Sequence, residues 1–223
     1  MIAVKTARQF FYSSLIIVLT SGIVSAQSTR ADTQEWNDVQ IFAPVTQTVD
    51  FVLFGMLRIG RNVSHPVDER IGAGFSFKLG KYLTVLPGYL HITTQPFKNT
   101  RLYENRMNVA AQLRFPLGKF TVSDRNLFER RLRHPGGDST RYRNRLQVDH
   151  PVKLGDMAFN IFASDEVFYD WSFDAWVRNR FAAGVSKAWT RKFTTDLYYL
   201  RQNDSHSRPG NLHVIGTTFR IRL

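Results

Sequence analysis

The sequence predicts an all-β protein, a transmembrane antiparallel up-and-down β-barrel of about 10–12 strands. Three observations lead to this fold class. The N-terminus has the layout of an export signal, the remaining chain is rich in segments that alternate polar and apolar residues, and short turns alternate with longer polar loops. Short turns at one end and longer loops at the other are typical of barrels in the bacterial outer membrane.

The first 26 residues have the layout of a secretory signal peptide. Lys5 and Arg8 precede an apolar segment at residues 10–24, and the small residues Ser25 and Ala26 follow it. A transmembrane anchor is the alternative, but the apolar segment is interrupted by Ser and Thr and is shorter than the roughly 20 residues that span a bilayer. We therefore assign residues 1–26 to a signal peptide, 27–34 to a short leader and 35–223 to an outer-membrane β-barrel.

The composition restricts the partners of the protein. The chain has no cysteine, which rules out a disulfide framework and a cysteine-ligated metal. Its formal net charge is +12, so nucleic acid, anionic lipid and anionic solutes are the first partners to consider. Export from the cytoplasm and the absence of a run of consecutive basic residues argue against nucleic acid. We expect a bacterial outer-membrane location, contact with outer-membrane lipid and no nucleic-acid partner.

Residues 104–115, "ENRMNVAAQLRF", show the strand pattern most clearly. Arg106 and Gln112 lie on a polar face, whereas the opposite face is apolar. A soluble sandwich would bury the apolar face, and a membrane barrel would turn it towards lipid. The export signal and segments of roughly 10 to 14 residues favour lipid, because 9 to 11 tilted residues cross a bilayer. The side chains expected to contact lipid include Phe75, Phe77, Met107, Val109 and Leu113.

Aromatic residues occur near both ends of the predicted strands. Rings at both membrane interfaces are typical of outer-membrane barrels. Those beside short turns are Tyr82, Phe115, Phe120, Trp189 and Phe193, and those beside long loops are Tyr103, Tyr142, Tyr169, Trp171 and Trp176.

The exact number of strands stays open. About ten segments follow Val49, an even number that would place both termini on the periplasmic side. The segment around Trp36 is then the first of twelve strands, a short extra strand or a segment inside the lumen. The last strand alternates back from Leu223 to Ile215 and resembles the terminal strand that bacterial barrel-assembly machinery recognises, although such strands usually end in an aromatic residue. We expect that machinery to be a partner during biogenesis.

Arginine dominates the predicted lumen face, where acidic residues are fewer. Two functions follow from this excess. A small channel with cationic walls would favour small anionic solutes, whereas a structural barrel would have its lumen filled by Arg–Glu pairs. The lumen charge network that we expect consists of Arg106, Arg125, Glu129, Arg131, Arg143, Arg145, Glu166 and Arg180.

The sequence offers little evidence for an enzyme. The six histidines have no metal-ligand spacing and no phosphate-binding loop is present, so we expect no metal, no cofactor and no catalytic residues. A lipid hydrolase or acyltransferase is the alternative, because some outer-membrane barrels modify lipids with Ser, His and an acid. The candidate residues lie in two polar loops, with His134, Asp138 and Ser139 in one and Asp204, Ser205, His206 and Ser207 in the other.

The order of several short motifs resembles a known family. The motifs are an early Trp36; Arg125, Glu129 and Arg131; Arg143 and Arg145; Asp165 and Glu166; and Asn179 and Arg180. Together they resemble the bacterial outer-membrane β-barrel family catalogued as domain of unknown function 2490, over most of residues 35–223. The resemblance implies a barrel of unassigned activity and supplies neither catalytic residues nor a substrate.

Overall fold

The structure is a computed structural model that describes residues 31–223. The predicted signal peptide lies outside these residues. Within residues 31–223, no helix is long and apolar enough to cross a membrane. Eleven strands follow one another: β1 (Asp32–Pro44), β2 (Val49–Gly60), β3 (His65–Leu79), β4 (Leu83–Phe97), β5 (Thr100–Leu117), β6 (Phe120–His134), β7 (Ser139–Leu154), β8 (Met157–Asp170), β9 (Ala175–Ala188), β10 (Phe193–Asp204) and β11 (Leu212–Arg222).

The eleven strands close into one barrel. Each strand pairs with its sequence neighbours in antiparallel fashion, and β1 pairs with β11 in parallel. The all-β barrel predicted from the sequence is thus confirmed, with eleven strands and with one parallel pair where an even-numbered barrel would have none. The segment around Trp36 is part of β1, a full strand of the wall. β1 begins at Asp32, inside the segment assigned to the leader.

The parallel pairing of β1 with β11, which we call the seam, places the two ends of the described chain at opposite ends of the barrel. Asp32 pairs with Leu212 at one end, whereas the backbone N–H of Leu223 donates to the carbonyl of Phe42 at the other, 3.0 Å away. The expectation that both termini lie at the same end is therefore wrong. Its physical reason is the odd number of strands, since each antiparallel step reverses direction and eleven strands leave the first and last parallel.

The two ends of the barrel differ in their connections. The end that we call the turn end carries residues 45–48, 80–82, 118–119, 155–156 and 189–192. The opposite end, the loop end, carries residues 61–64, 98–99, 135–138, 171–174 and 205–211. Residues 93–100, "TTQPFKNT", have the polar composition of a long loop, but β4 and β5 continue through them to a turn at Lys98 and Asn99. Polar residues on both faces of that hairpin hide the alternation that identifies a strand.

The wall has an apolar exterior and a mainly polar interior where the alternation is strongest. On β5, Met107 and Val109 are 53% and 49% exposed on the exterior, while Glu104 and Arg106 are buried on the interior. The interior is therefore packed with side chains, and many of these side chains are charged.

One side of the interior is an apolar cluster around Trp36, which is 3% exposed. Trp36 packs with Leu200, Leu212 and Val214, and its ring N–H donates to Gln34 Oε1 over 2.8 Å. This cluster fixes β1 against β10 and β11 from inside the barrel. The seam is thus held both by its backbone hydrogen bonds and by a buried side chain.

Tyr198 completes this cluster and depends on two glycines. It lies opposite Gly184 on β9 and Gly216 on β11. A Cβ added to Gly216 would lie 2.1–2.5 Å from atoms of the Tyr198 ring, closer than real carbon atoms approach. Glycine at this position gives the tyrosine ring room to lie on the neighbouring strand.

We expect Trp36→Ala to lower the free energy of unfolding by about 3–5 kcal/mol, because it empties the apolar cluster beside the seam. Denaturant unfolding of the folded barrel in detergent micelles, followed by tryptophan-independent circular dichroism, measures the change. Trp189→Ala, at a residue that is 59% exposed at the turn end, is the control and should cost much less. Equal losses in both variants would show that Trp36 does not hold the seam.

Candidate functional site

The centre of the charged interior is Glu129 on β6, which is 2% exposed. Its Oε1 accepts from Arg106 at 3.1 Å and from Arg143 at 3.0 Å, and its Oε2 lies 2.6 Å from Nη2 of Arg141. These arginines come from the neighbouring strands β5 and β7, whose interior positions flank Glu129. A buried carboxylate surrounded in this way is stable as an ion only while its guanidinium partners stay in place.

A second buried acid, Glu166 on β8, extends the network. Its Oε1 lies 2.8 Å from both Arg125 and Arg143, and its Oε2 lies 3.9 Å from Arg180. Arg143 therefore binds Glu129 and Glu166 at the same time. One connected set of ion pairs thus runs across β5, β6, β7, β8 and β9.

The network continues towards the loop end through Glu104. This carboxylate lies 2.6 Å from Arg106, 2.9 Å from Arg131 and 3.5 Å from Arg133. Arg131 also reaches Asp170 at 3.4 Å. Arg106 forms ion pairs with both Glu104 and Glu129, so the loop-end ion pairs and the central ion pairs are one connected network.

Phe168 lies inside this charged network and is completely buried. Four guanidinium carbons lie within 5.3 Å of its ring centroid, close enough for cation–π attraction. Arg180 is one of them and also lies 4.8 Å from the Trp36 ring, which Arg58 covers at 3.8 Å. Arg180 thus links Glu166 of β8 to the apolar cluster at β1. The four arginines around Phe168 are Arg141, Arg143, Arg178 and Arg180.

Together these contacts fill the lumen at mid-height. Ion pairs cross from β5 to β9, and stacking on Trp36 carries the contacts on to β1 and β2. Leu90 and Ile92 of β4 are also buried on the interior. Side chains of this size and burial leave the middle of the barrel packed in the manner of a protein core.

The turn end of the lumen is more open and basic. The side chains of Lys78, Arg220 and Arg222 are 37–42% exposed, although each pairs with a less exposed aspartate. Arg145 lies directly opposite Arg125 and Glu166 but forms no ion pair with any of residues 31–223. We call this region the turn-end cup, and define it by Lys78, Arg114, Arg125, Arg145, Arg220 and Arg222.

The electrostatic balance of the cup is incomplete. Arg125 and Arg145 are like charges at directly paired positions, which destabilises a sheet unless an anion lies nearby. Glu166 is the shared acid, and it already binds Arg143. In addition, the buried Nε of Arg125 has no hydrogen-bond partner within the described part of the chain. The cup therefore contains guanidinium N–H groups, on Arg125 and Arg145, that no acidic side chain of residues 31–223 binds.

The structure joins all but one of the eight residues expected in the lumen network. Arg145 lies opposite Glu166 but forms no ion pair among residues 31–223. Shared ion pairs link the other seven, which are Arg106, Arg125, Glu129, Arg131, Arg143, Glu166 and Arg180. The expected network did not include Arg141, Glu104, Phe168 or Trp36. The alternation does place Arg141 and Glu104 on the lumen face, but it does not show which charges on that face form pairs. Nothing in the alternation marks Phe168 as the ring that the arginines surround.

The first loop considered for lipid chemistry has other contacts. Ser139 is buried and its hydroxyl accepts from Arg133 Nη2 over 2.6 Å. Asp138 pairs with Arg130 at 3.2 Å, and His134 is exposed. These contacts hold the loop but do not place a histidine between a serine and an acid.

The second loop is similar. Ser205 Oγ and His206 Nδ1 are 2.7 Å apart, but the nearby Asp204 carboxylate pairs with Arg178 and accepts the backbone N–H of His206. The ring of His206 packs on Phe173, 4.2 Å between centroids. Among residues 31–223, no group of three metal-binding side chains is present.

Comparison with known proteins identifies a family. The model of the family described as "Protein of unknown function (DUF2490)" matches residues 33–213, which confirms the resemblance found in the sequence. Among solved structures, an anion-selective porin from Comamonas acidovorans is similar with a TM-score of 0.40 and 13% identity, over 79% of this chain and 54% of the porin. The chain thus spans about half the length of that porin. No curated protein matches.

We expect Glu129→Gln to lower the free energy of unfolding by about 3–5 kcal/mol, because it leaves three buried arginines without their shared carboxylate. Chemical denaturation of the folded barrel in micelles measures the loss. Asp138→Asn, which breaks the exposed pair with Arg130, is the control and should cost less than about 1 kcal/mol. A loss for Glu129→Gln as small as that of the control would mean that the lumen is hydrated.

Proposed function

This chain belongs to the DUF2490 family, and from its geometry we propose that it is an outer-membrane β-barrel whose lumen is closed at mid-height and whose turn-end cup attracts small anions. The description of the family assigns no activity. The proposal therefore depends on the barrel itself, on its exterior surface, on the packing of its lumen and on the charges of the cup.

The exterior surface supports a membrane location. Large apolar side chains are exposed around the wall, including Leu53 at 43%, Ile71 at 69% and Leu197 at 50%. An apolar surface that encircles a protein is unfavourable in water but is what a bilayer requires. Exposed aromatic residues lie near both ends, with Tyr82 and Trp189 at the turn end and Trp176 at the loop end.

The lengths of the connections at the two ends of the barrel support one orientation in the membrane. Outer-membrane barrels have short turns on the periplasmic side and longer loops outside the cell. By this rule the turn end faces the periplasm, and so does the turn-end cup. The predicted signal peptide agrees with export to that compartment.

The burial of Glu129 is the observation that favours a closed lumen over an open pore. A wide aqueous channel leaves the charges of its wall hydrated, whereas Glu129 is 2% exposed and Phe168 beside the same arginines is fully buried. The proposed barrel is thus a structural element of the membrane with a blind, basic cavity on its periplasmic side. Its cationic walls would concentrate small anionic solutes there.

A planar bilayer tests the closed lumen. We expect the wild-type protein to give no steady conductance, because side chains fill the lumen. Glu129→Ala removes the central acid and should open a current whose reversal potential in a salt gradient indicates anions. A steady wild-type conductance would contradict the closed lumen, and a cation-selective current would contradict the basic cup.

Two arginine substitutions test the membrane location. Val109→Arg places a charge on the exterior and should destabilise a lipid-facing wall by about 2–4 kcal/mol. Gln112→Arg, on the same strand but on the interior face, is the matched control and should cost less. Unfolding in lipid vesicles measures both. Recovery of the wild-type protein as a soluble periplasmic fraction, or equal tolerance of both substitutions, would overturn the membrane location.

A further inference from the structure

A polar patch interrupts the apolar exterior on β6 and β7. It consists of Asp124, Asn126 and Asn144, and we call it the exterior amide patch. These residues alternate along their strands with Arg125 and Arg143 of the lumen, so they lie on the opposite face of the wall. Sequence reasoning gave this patch no role, and neither the lumen network nor the turn-end cup uses it.

The residues of the patch bind one another. Asn144 Nδ2 donates to Asp124 Oδ1 over 2.6 Å and to Asn126 Oδ1 over 3.2 Å, and Asn126 Nδ2 donates to Asp124 Oδ2 over 3.3 Å. The hydroxyl of Tyr142 also donates to Asn126 Oδ1. The three polar side chains are therefore held flat against the wall in a fixed arrangement.

The strand register places the patch at the middle of the barrel. One row of directly paired residues climbs from the first residue of β2 at the turn end to the second-to-last residue of β10 at the loop end. Asn126 is the central residue of this row, and Asn144 is the next residue towards the loop end. The row is Val49, Phe77, Val85, Ala111, Asn126, Asn144, Val167, Asn179 and Asn203.

This depth makes the patch unfavourable against lipid. If the barrel spans the outer membrane, as proposed above, the centre of its exterior faces hydrocarbon, which offers no hydrogen-bond partner. Each side-chain amide has two N–H groups and an oxygen acceptor. The second N–H of Asn126 and the Oδ1 of Asn144 make no hydrogen bond with residues 31–223. The patch thus retains one donor and one acceptor.

We propose that the exterior amide patch is the contact surface for a second copy of this chain. In a two-fold dimer the spare N–H of Asn126 in each copy meets the spare Oδ1 of Asn144 in the other, so both groups are satisfied twice by one symmetry operation. Hydrogen bonds between amide side chains hold membrane-embedded segments together in this way. A lipid tail supplies neither group.

The surroundings of the patch suit such a contact. Phe128, Val148 and Ile161 are 53%, 37% and 44% exposed on the same side of the barrel and form an apolar rim. Leu146 lies between Asp124 on β6 and Asp165 on β8, two residues from Asn144 on the same exterior face of β7. The Asp165 carboxylate accepts from Asn179 over 2.8 Å on its own wall. Both aspartates thus keep partners within their own copy.

The absence of cysteine in the chain allows a site-specific test. We expect full-length Leu146→Cys, purified and reconstituted into phospholipid vesicles, to be linked as a dimer by a bifunctional thiol reagent, because residue 146 lies next to Asn144 inside the proposed contact surface. Leu53→Cys is the matched control, since it is 43% exposed on the exterior of β2, on the far side of the barrel. It should give at least fivefold less dimer.

A second pair of substitutions tests the amides themselves. Asn126→Leu with Asn144→Leu, introduced into the Leu146→Cys chain, should reduce the cross-linked fraction at least fivefold. Heat-modifiable gel migration verifies that this variant remains a folded barrel.

Three results would overturn the dimer: no cross-linking of Leu146→Cys, equal cross-linking of Leu53→Cys, or cross-linking that the leucine substitutions leave unchanged. Cross-linking of Leu146→Cys in native membranes to another protein, instead of to itself, would overturn it as well. Failure of the membrane location is distinguishable, because the protein would then not float with the vesicles. A protein that floats but does not cross-link rejects the dimer alone.

Discussion

The pairing of buried charge in the lumen is the interaction on which the rest of this barrel depends. Glu129 and Glu166 are buried among arginines from neighbouring strands, and Arg143 binds both. A carboxylate in such a place is tolerated only when its partners surround it, and the arginines in turn need the acids. The packing of the interior side chains from β5 to β9 depends on where these few acids lie.

Arginine suits this role because of its shape. Its planar guanidinium can bind a carboxylate edge-on while its face lies on an aromatic ring. Arg143 and Arg180 do both, since each contacts Glu166 and each covers the ring of Phe168. Lysine offers no flat face, so it could keep the ion pairs but would lose the stacking. The packed middle of the lumen is thus built from charged residues that behave partly as apolar ones.

The alternation in the sequence predicted much of this structure. It separated Met107 and Val109 from Arg106, it placed Glu129 and Arg143 on one interior face, and it identified the barrel. It left the strand number open because the Trp36 segment has mixed polarity on both faces. It also missed Phe168 and the pairing of Asn126 with Asn144, because a two-residue period tells which face a side chain occupies but not what lies across from it.

The parallel pairing of β1 with β11 has a consequence for the order in which the wall is completed. All other neighbouring strands are hairpins, whose pairing closes only a short loop. The seam instead joins Asp32 to Leu212 and so brings together residues separated by nearly the whole barrel. The entropic cost of closing that loop is offset only when the ten hairpin pairings have already curved the sheet back on itself. We therefore expect the β1–β11 pairing to form last when the barrel folds and to separate first when it opens.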